Sequence, residues 1–173
     1  MNDTKETNSK QAGGDELLQL VSFNIGDEEF GVDILKVQEI NRMVEVTRVP
    51  NTPEYVDGVI NLRGKVIPVV DLRLKFGLPE MEYTQRTCII VVQVRGEAGP
   101  MQMGIVVDGV AEVLNLADAD IEDTPAFGQD VTVSYLLGMA KIKGKVKILL
   151  DIDQVLTTQE LQVLEAVLPA TKE

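Results

Sequence analysis

Histidine, the commonest general base near neutral pH and the commonest metal ligand among side chains, does not occur in this sequence. The single cysteine, Cys88, sits in the apolar run Cys88-Ile89-Ile90-Val91-Val92 with nothing to activate it, so it reads as a small buried hydrophobe rather than a nucleophile. One cysteine also leaves no disulfide framework and no cysteine metal site within the chain. Neither Gly-x-Gly-x-x-Gly nor Gly-x-x-x-x-Gly-Lys-Ser/Thr is present, so no phosphate-cradling loop is recognisable. Asp118 with Asp120 and Glu122 with Asp123 could suggest calcium, but the glycine and terminal glutamate of a calcium loop are missing. They read as a solvated acidic loop. No cofactor is expected, and what remains suits recognition: Glu39 in an apolar strand, Arg63 beside a turn, and Phe127 in the loop Asp123-Thr124-Pro125-Ala126-Phe127-Gly128.

The bulk properties point the same way. A net charge of −12 opposes binding to nucleic acid or anionic lipid, because both need clustered Lys and Arg to displace counterions. A protein partner is expected instead. The polar N-terminus and the lack of any apolar stretch near the ~20 residues that span a bilayer imply a cytoplasmic protein without membrane insertion. An enzyme or ligand-binding barrel with its chemistry in a groove remains the rival class, since fold alone never excludes it.

The groups named above must be positioned by β-structure. Residues 1–15 are polar and aperiodic, which predicts a disordered tail. Val21, Phe23 and Ile25 then alternate with polar residues, and Gly26-Asp27 offers a turn before Glu29 to Val32, so a hairpin is expected. Further strands are predicted at Val37–Ile40, Val56–Leu62, Lys65–Val70, Cys88–Val94, Met101–Val107, Val110–Leu116, Tyr135–Ile142 and Lys145–Leu150. Short strands between Gly, Pro and Asp turns favour small antiparallel barrels. Pro68 inside one run predicts an edge strand or a bulge. One clear helix is predicted, because Thr157-Thr158-Gln159-Glu160 forms a capping box and Leu161, Leu164 and Leu168 follow at helical spacing.

The chain also repeats. Gly31 to Ile40 aligns with Gly104 to Val113 at an offset of 73, and Gly58 to Val66 aligns with Gly138 to Val146 at an offset of 80, with Asp71 falling on Asp151. Two such β-units have too little core to stand alone, so they should pack together and leave a groove between them. Positions alike in both copies are expected to serve the fold. Gly64 and Gly144 read as turn glycines, and Asp71 and Asp151 as helix N-caps.

At this level the residues resemble a known family. Gly26 to Ile40, Gly58 to Arg73 and Gly104 to Val110 are similar, in order and spacing, to the blocks of CheW-like chemotaxis coupling proteins, over about Leu17 to Leu168. The resemblance implies a CheW-like domain at 16–168, a short C-terminal tail at 169–173, and a mainly β fold. That fold would be two intertwined five-stranded SH3-like barrels, with parts of the chain crossing between them and a C-terminal helix. It further implies a non-catalytic scaffold that couples methyl-accepting chemoreceptor tips to the CheW-like regulatory domain of the histidine kinase CheA. A coupling protein of a related non-flagellar pathway is the alternative. By position, Val37, Glu39, Gly58, Arg63, Cys88 and Val113 would face the receptor, with its helical tip in the groove between the units, and Phe127 would touch the kinase side. Glu39 carries a tension, since it repeats as Glu112 and so also reads as structural.

Overall fold

The structure is a computed structural model that describes residues 17–96, 99–122 and 135–168. The expected tails at 1–15 and 169–173, and Phe127, lie outside the described residues. The strands are β1 (Leu17–Ile25), β2 (Glu28–Asp33), β3 (Val37–Arg42), β4 (Val56–Leu62), β5 (Lys65–Asp71), β6 (Cys88–Gly96), β7 (Gly99–Val107), β8 (Gly109–Ala117), the two-residue β9 (Ile121–Glu122), β10 (Leu136–Ile142) and β11 (Lys145–Leu150). Two helices accompany them, the short α1 (Leu72–Lys75) and α2 (Thr158–Val167).

One sheet runs β9-β10-β11-β2-β1-β8 and the other β3-β6-β7-β5-β4. The fold class is the expected one, two SH3-like barrels with a C-terminal helix, with β9 as a sixth, minimal strand on the first. The strand orders interleave the two copies. The hairpin β1–β2 is completed by β8, β10 and β11 from late in the chain, while β6–β7 joins β3, β4 and β5 from early in it. Both exchanges use the same parallel seam: Gly31 lies across from Leu149, and Gly104 across from Val69.

The repeat extends to irregularities that no apolar pattern reveals. Register shifts fall between Val37 and Glu39 on β3 and between the partners of Val110 and Glu112 on β8. They fall again between Val56 and Gly58 on β4 and between Leu136 and Gly138 on β10. Each bulge therefore recurs at the equivalent residue. At the hairpin tips, Arg63-Gly64 (φ 52 and 84) and Lys143-Gly144 (φ 53 and 80) both have positive φ, as a type I′ turn requires.

Burial explains the unbroken apolar runs. Along β6, Ile89 and Val91 face a small core inside their barrel while Ile90, Val92 and Val94 face a second core shared between the two sheets. A strand buried on both faces has no polar side to alternate. The shared core also takes Val21, Phe23 and Phe30 from the other sheet, and Leu161 and Leu164 from α2. The two sheets thus pack side chain against side chain, because each barrel needs its neighbour's surface to bury its outer face.

Asp71 accepts from the Arg73 amide at 2.9 Å and caps α1, while Asp151 accepts from the Asp153 amide at 3.1 Å and caps only a 3-10 turn. The α2 capping box forms as expected, with the Glu160 amide donating to Thr157 Oγ1 at 3.1 Å and the Thr157 amide to Glu160 Oε1 at 2.8 Å. Glu160 also holds Lys75 at 2.7 Å, tying α2 to α1. Pro68 departs from expectation, since β5 is an interior strand. Its missing N–H is tolerated because the ladder to β7 begins only at Val69, and because Val59 opposite it exchanges both backbone hydrogen bonds with Thr47 instead.

Candidate functional site

The most strongly organised of the expected site residues are Glu39 and Arg63. The bulge around Gln38 places Val37 across from Val92 and Glu39 across from Val91, so Val37 packs on the shared core while Glu39 lies on the barrel-interior side. Arg63, at the β4–β5 tip, donates from Nη1 to Glu39 Oε1 at 3.3 Å and from Nη2 to Glu39 Oε2. Asn41 Nδ2 adds a donor to Oε1 at 3.2 Å. The fork-to-carboxylate match is what a guanidinium offers and an ammonium does not. Hydrogen bonding from Arg63, with Asn41 second, holds the Glu39 carboxyl below its ordinary pKa.

This pair joins β3 to β4–β5, the two ends of the five-stranded sheet. Its counterparts in the second copy, Glu112 and Lys143, form no ion pair among the described residues, so the barrel does not require it. The tension over Glu39 is eased at that point: the glutamate repeats, but its arginine partner does not. Because Arg63 is 73% exposed, the pair contributes little to stability. Arg63→Lys should leave the melting temperature within a couple of degrees, yet move the Glu39 carboxyl titration, read by carbon NMR, up toward its ordinary value.

The remaining residues are scattered. Gly58 is buried at the β4 bulge with φ 147, and a Cβ there would lie 2.1 Å from the Thr47 carbonyl oxygen. Cys88 opens β6 opposite Arg42 and is half-buried, its Sγ donating to the Arg86 carbonyl at 3.2 Å. Cys88 is packed against the shared core but only partly buried, because residue 88 stands at a strand end. Val113 sits on β8 opposite Val21, in the other sheet, and is 51% exposed. Val37, Glu39, Gly58, Arg63 and Cys88 thus belong to one barrel and Val113 to the other.

At the rim of the shared core a cavity of about 250 Å³ remains, lined by Ile25, Phe30, Phe76, Tyr135, Leu136 and Ile148 among others. None of the six expected residues lines it. Among the described residues no cluster of His, Cys, Asp and Glu could hold a metal ion. Two residues the sequence reading passed over touch the site: Asp57, the extra residue of the Gly58 bulge, accepts from Tyr83 Oη at 2.6 Å. The signal for Asp57 was the repeat itself, where it falls on Leu137.

A CheW-like domain family model matches residues 19–160. The chain belongs to the CheW-like family. It is 40% identical to the chemotaxis protein CheW of Klebsiella aerogenes over 161 residues, covering 93% of this chain and 95% of that one. It is 39% identical to the chemotaxis protein CheW of Rhizobium meliloti, covering 82% and 89%. The scaffolding protein TtCheW from Thermoanaerobacter tengcongensis superposes with a TM-score of 0.73 at 32% identity, covering 84% of this chain and 97% of its own. As a CheW-like protein, the chain is a scaffold of chemotaxis signal transduction. No helix among the described residues is long and apolar enough to cross a membrane.

Proposed function

We propose that this chain is a non-catalytic, cytoplasmic coupling protein, recruited to membrane-associated arrays, that binds the helical tips of chemotaxis receptors on one surface and the CheW-like regulatory domain of CheA on another. The observation that carries the reading is the match to CheW-like proteins along almost the whole described chain, together with a sequence that offers no histidine. The receptor surface is assigned to Val37, Glu39, Gly58, Arg63, Cys88 and Val113. Within it, exposed Arg63, braced by Glu39, presents its remaining donors to carboxylates and carbonyls of a helix tip, and exposed Val113 supplies an apolar contact. Gly58 and Val37 act from beneath the surface, through the shape of β4 and β3.

Purified chain should bind both a receptor cytoplasmic-tip fragment and the CheA regulatory domain in surface plasmon resonance. Arg63→Glu, which sets a like charge against Glu39, should abolish detectable binding of the receptor fragment and leave CheA binding in place. Failure of the wild-type chain to bind either partner would overturn the reading.

A further inference from the structure

The connection from α1 to β6, residues 77–86, exists in one copy only. At the equivalent point the second copy turns into α2. This connection is fastened at three places. Arg73 Nε donates to the Pro79 carbonyl at 3.0 Å while its Nη1 holds Asp108 at 2.6 Å. Tyr83 Oη donates to Asp57 at 2.6 Å, and the Thr84 amide donates to buried Thr87 Oγ1 at 2.9 Å. Burial, and then Asp57 as acceptor, raise the Tyr83 phenol pKa, so the hydroxyl stays a donor.

The repeat supplies an internal control. The second copy makes the same bulge, with Gly138 at φ 156 and Leu137 in place of Asp57, and Leu137, an aliphatic side chain with no acceptor to offer, stands 51% exposed. The bulge therefore forms without a Tyr83–Asp57 bond. The bond is found only in the barrel that carries five of the six residues assigned to the receptor surface. It grips the chain beside Gly58, and the same connection runs through Thr87 directly into Cys88.

We propose that Tyr83 is a positioning residue: its hydroxyl, through Asp57, sets the Gly58 bulge and the start of β6 relative to one another so that both fit one receptor helix. The inference rests on the receptor surface assigned above. A bulge free to shift by a fraction of an ångström would still fold but would misplace its neighbours on the helix.

The test uses the full-length chain and three variants: Tyr83→Phe, Asp57→Leu, which copies the second repeat and so should fold, and Asp57→Asn, which keeps an acceptor oxygen. Affinity for a receptor-tip fragment should fall about tenfold, the scale of one lost hydrogen bond, in Tyr83→Phe and Asp57→Leu, and be largely retained in Asp57→Asn. Affinity for the CheA regulatory domain and the melting temperature should not change, while amide exchange of residues 78–86 should quicken in Tyr83→Phe. Unchanged receptor affinity in both disrupting variants overturns the proposal. So does a parallel loss of receptor affinity, CheA affinity and melting temperature, which would mark the bond as merely structural. Wild-type chain that binds CheA but no receptor fragment overturns the receptor surface itself, and this inference with it.

Discussion

Gly58→Ala is expected to lower the stability of the chain by roughly 4 kcal/mol, combining backbone strain of about 1–3 kcal/mol with the loss of two bridging hydrogen bonds worth about 1 kcal/mol each. The added Cβ would lie 2.1 Å from Thr47 O, with Thr47 C and Val46 Cγ1 both at 2.8 Å, in a residue whose φ is 147. Thr47 cannot retreat freely, because it exchanges hydrogen bonds of 2.9 and 2.8 Å with Val59, the neighbour of Gly58. In a chain of this size the melting temperature should fall by roughly 10 °C. Gly64→Ala is the control: at φ 84 with nothing within 4 Å of a new Cβ, it carries strain without collision and should cost only about 1 kcal/mol. Equal losses in the two variants, measured by thermal melting, would show that the contact with Thr47 gives way. Reduced receptor binding after substitution of Gly58 therefore has to be read beside stability.

The second large effect lies inside the six-stranded barrel. Lys147 is 4% exposed, with its ammonium donating to Ser22 Oγ at 3.1 Å and to Glu29 Oε1. In the other barrel Ile67 stands where Lys147 does and Val91 where Ser22 does, both buried in one apolar cluster, while Gln102 takes the place of Glu29. The two copies thus solve one packing problem in opposite ways. Glu29→Ala should be severely destabilising, because it strands a buried ammonium. Lys147→Met should be neutral or raise stability by about 1 kcal/mol, since removing the charge with its burial penalty moves the barrel toward its sibling. Urea unfolding separates the two, and an equal midpoint shift downward in both would refute the account.

The same site shapes acid sensitivity. Hydrogen bonding from Lys147, opposed by burial, leaves the Glu29 carboxyl below its ordinary 4.5, so the unfolded chain takes up a proton first as pH falls. Stability from this pair is present above about pH 4.5 and is lost as pH drops through the depressed folded value. Asp71, raised by burial, acts in the opposite direction, its folded form taking up the proton first. The Lys147→Met variant should therefore lose stability less steeply below pH 4.5 than the wild type.

The parts of this molecule legible in its sequence are those written locally. Apolar runs such as Cys88 to Val94 marked strands, the Thr157–Glu160 box marked α2, and the spacing of Gly58 and Gly138 exposed the duplication. Asp71 and Asp151 were readable as caps because an Asx side chain reaches its own chain two residues on. Contacts made at long range were not. Glu39 and Arg63 could each be singled out, yet nothing in a sequence separation of 24 says that a barrel closes there and joins them. Cys88 looked buried because its run is apolar, and only its place at the strand end leaves it half-exposed. Phe76, between a four-residue helix and a loop, carries no pattern, although it stacks between Phe30 and Tyr135 with centroids 5.4 Å from each.

The interleaved strand order also governs when this protein can exist at all during its synthesis. Leaving the ribosome, β1 and β2 have each other but neither β8 nor β11, and the ladder from Gly31 to Leu149 must wait for more than a hundred further residues. Long-range pairing of this kind is slow to form, and until then the outer face of the first hairpin, with Phe23 and Phe30, has nothing to cover it. The exchange also means that neither copy is a removable module. A chain stopped between the two repeats would lack four strands of one barrel and two of the other.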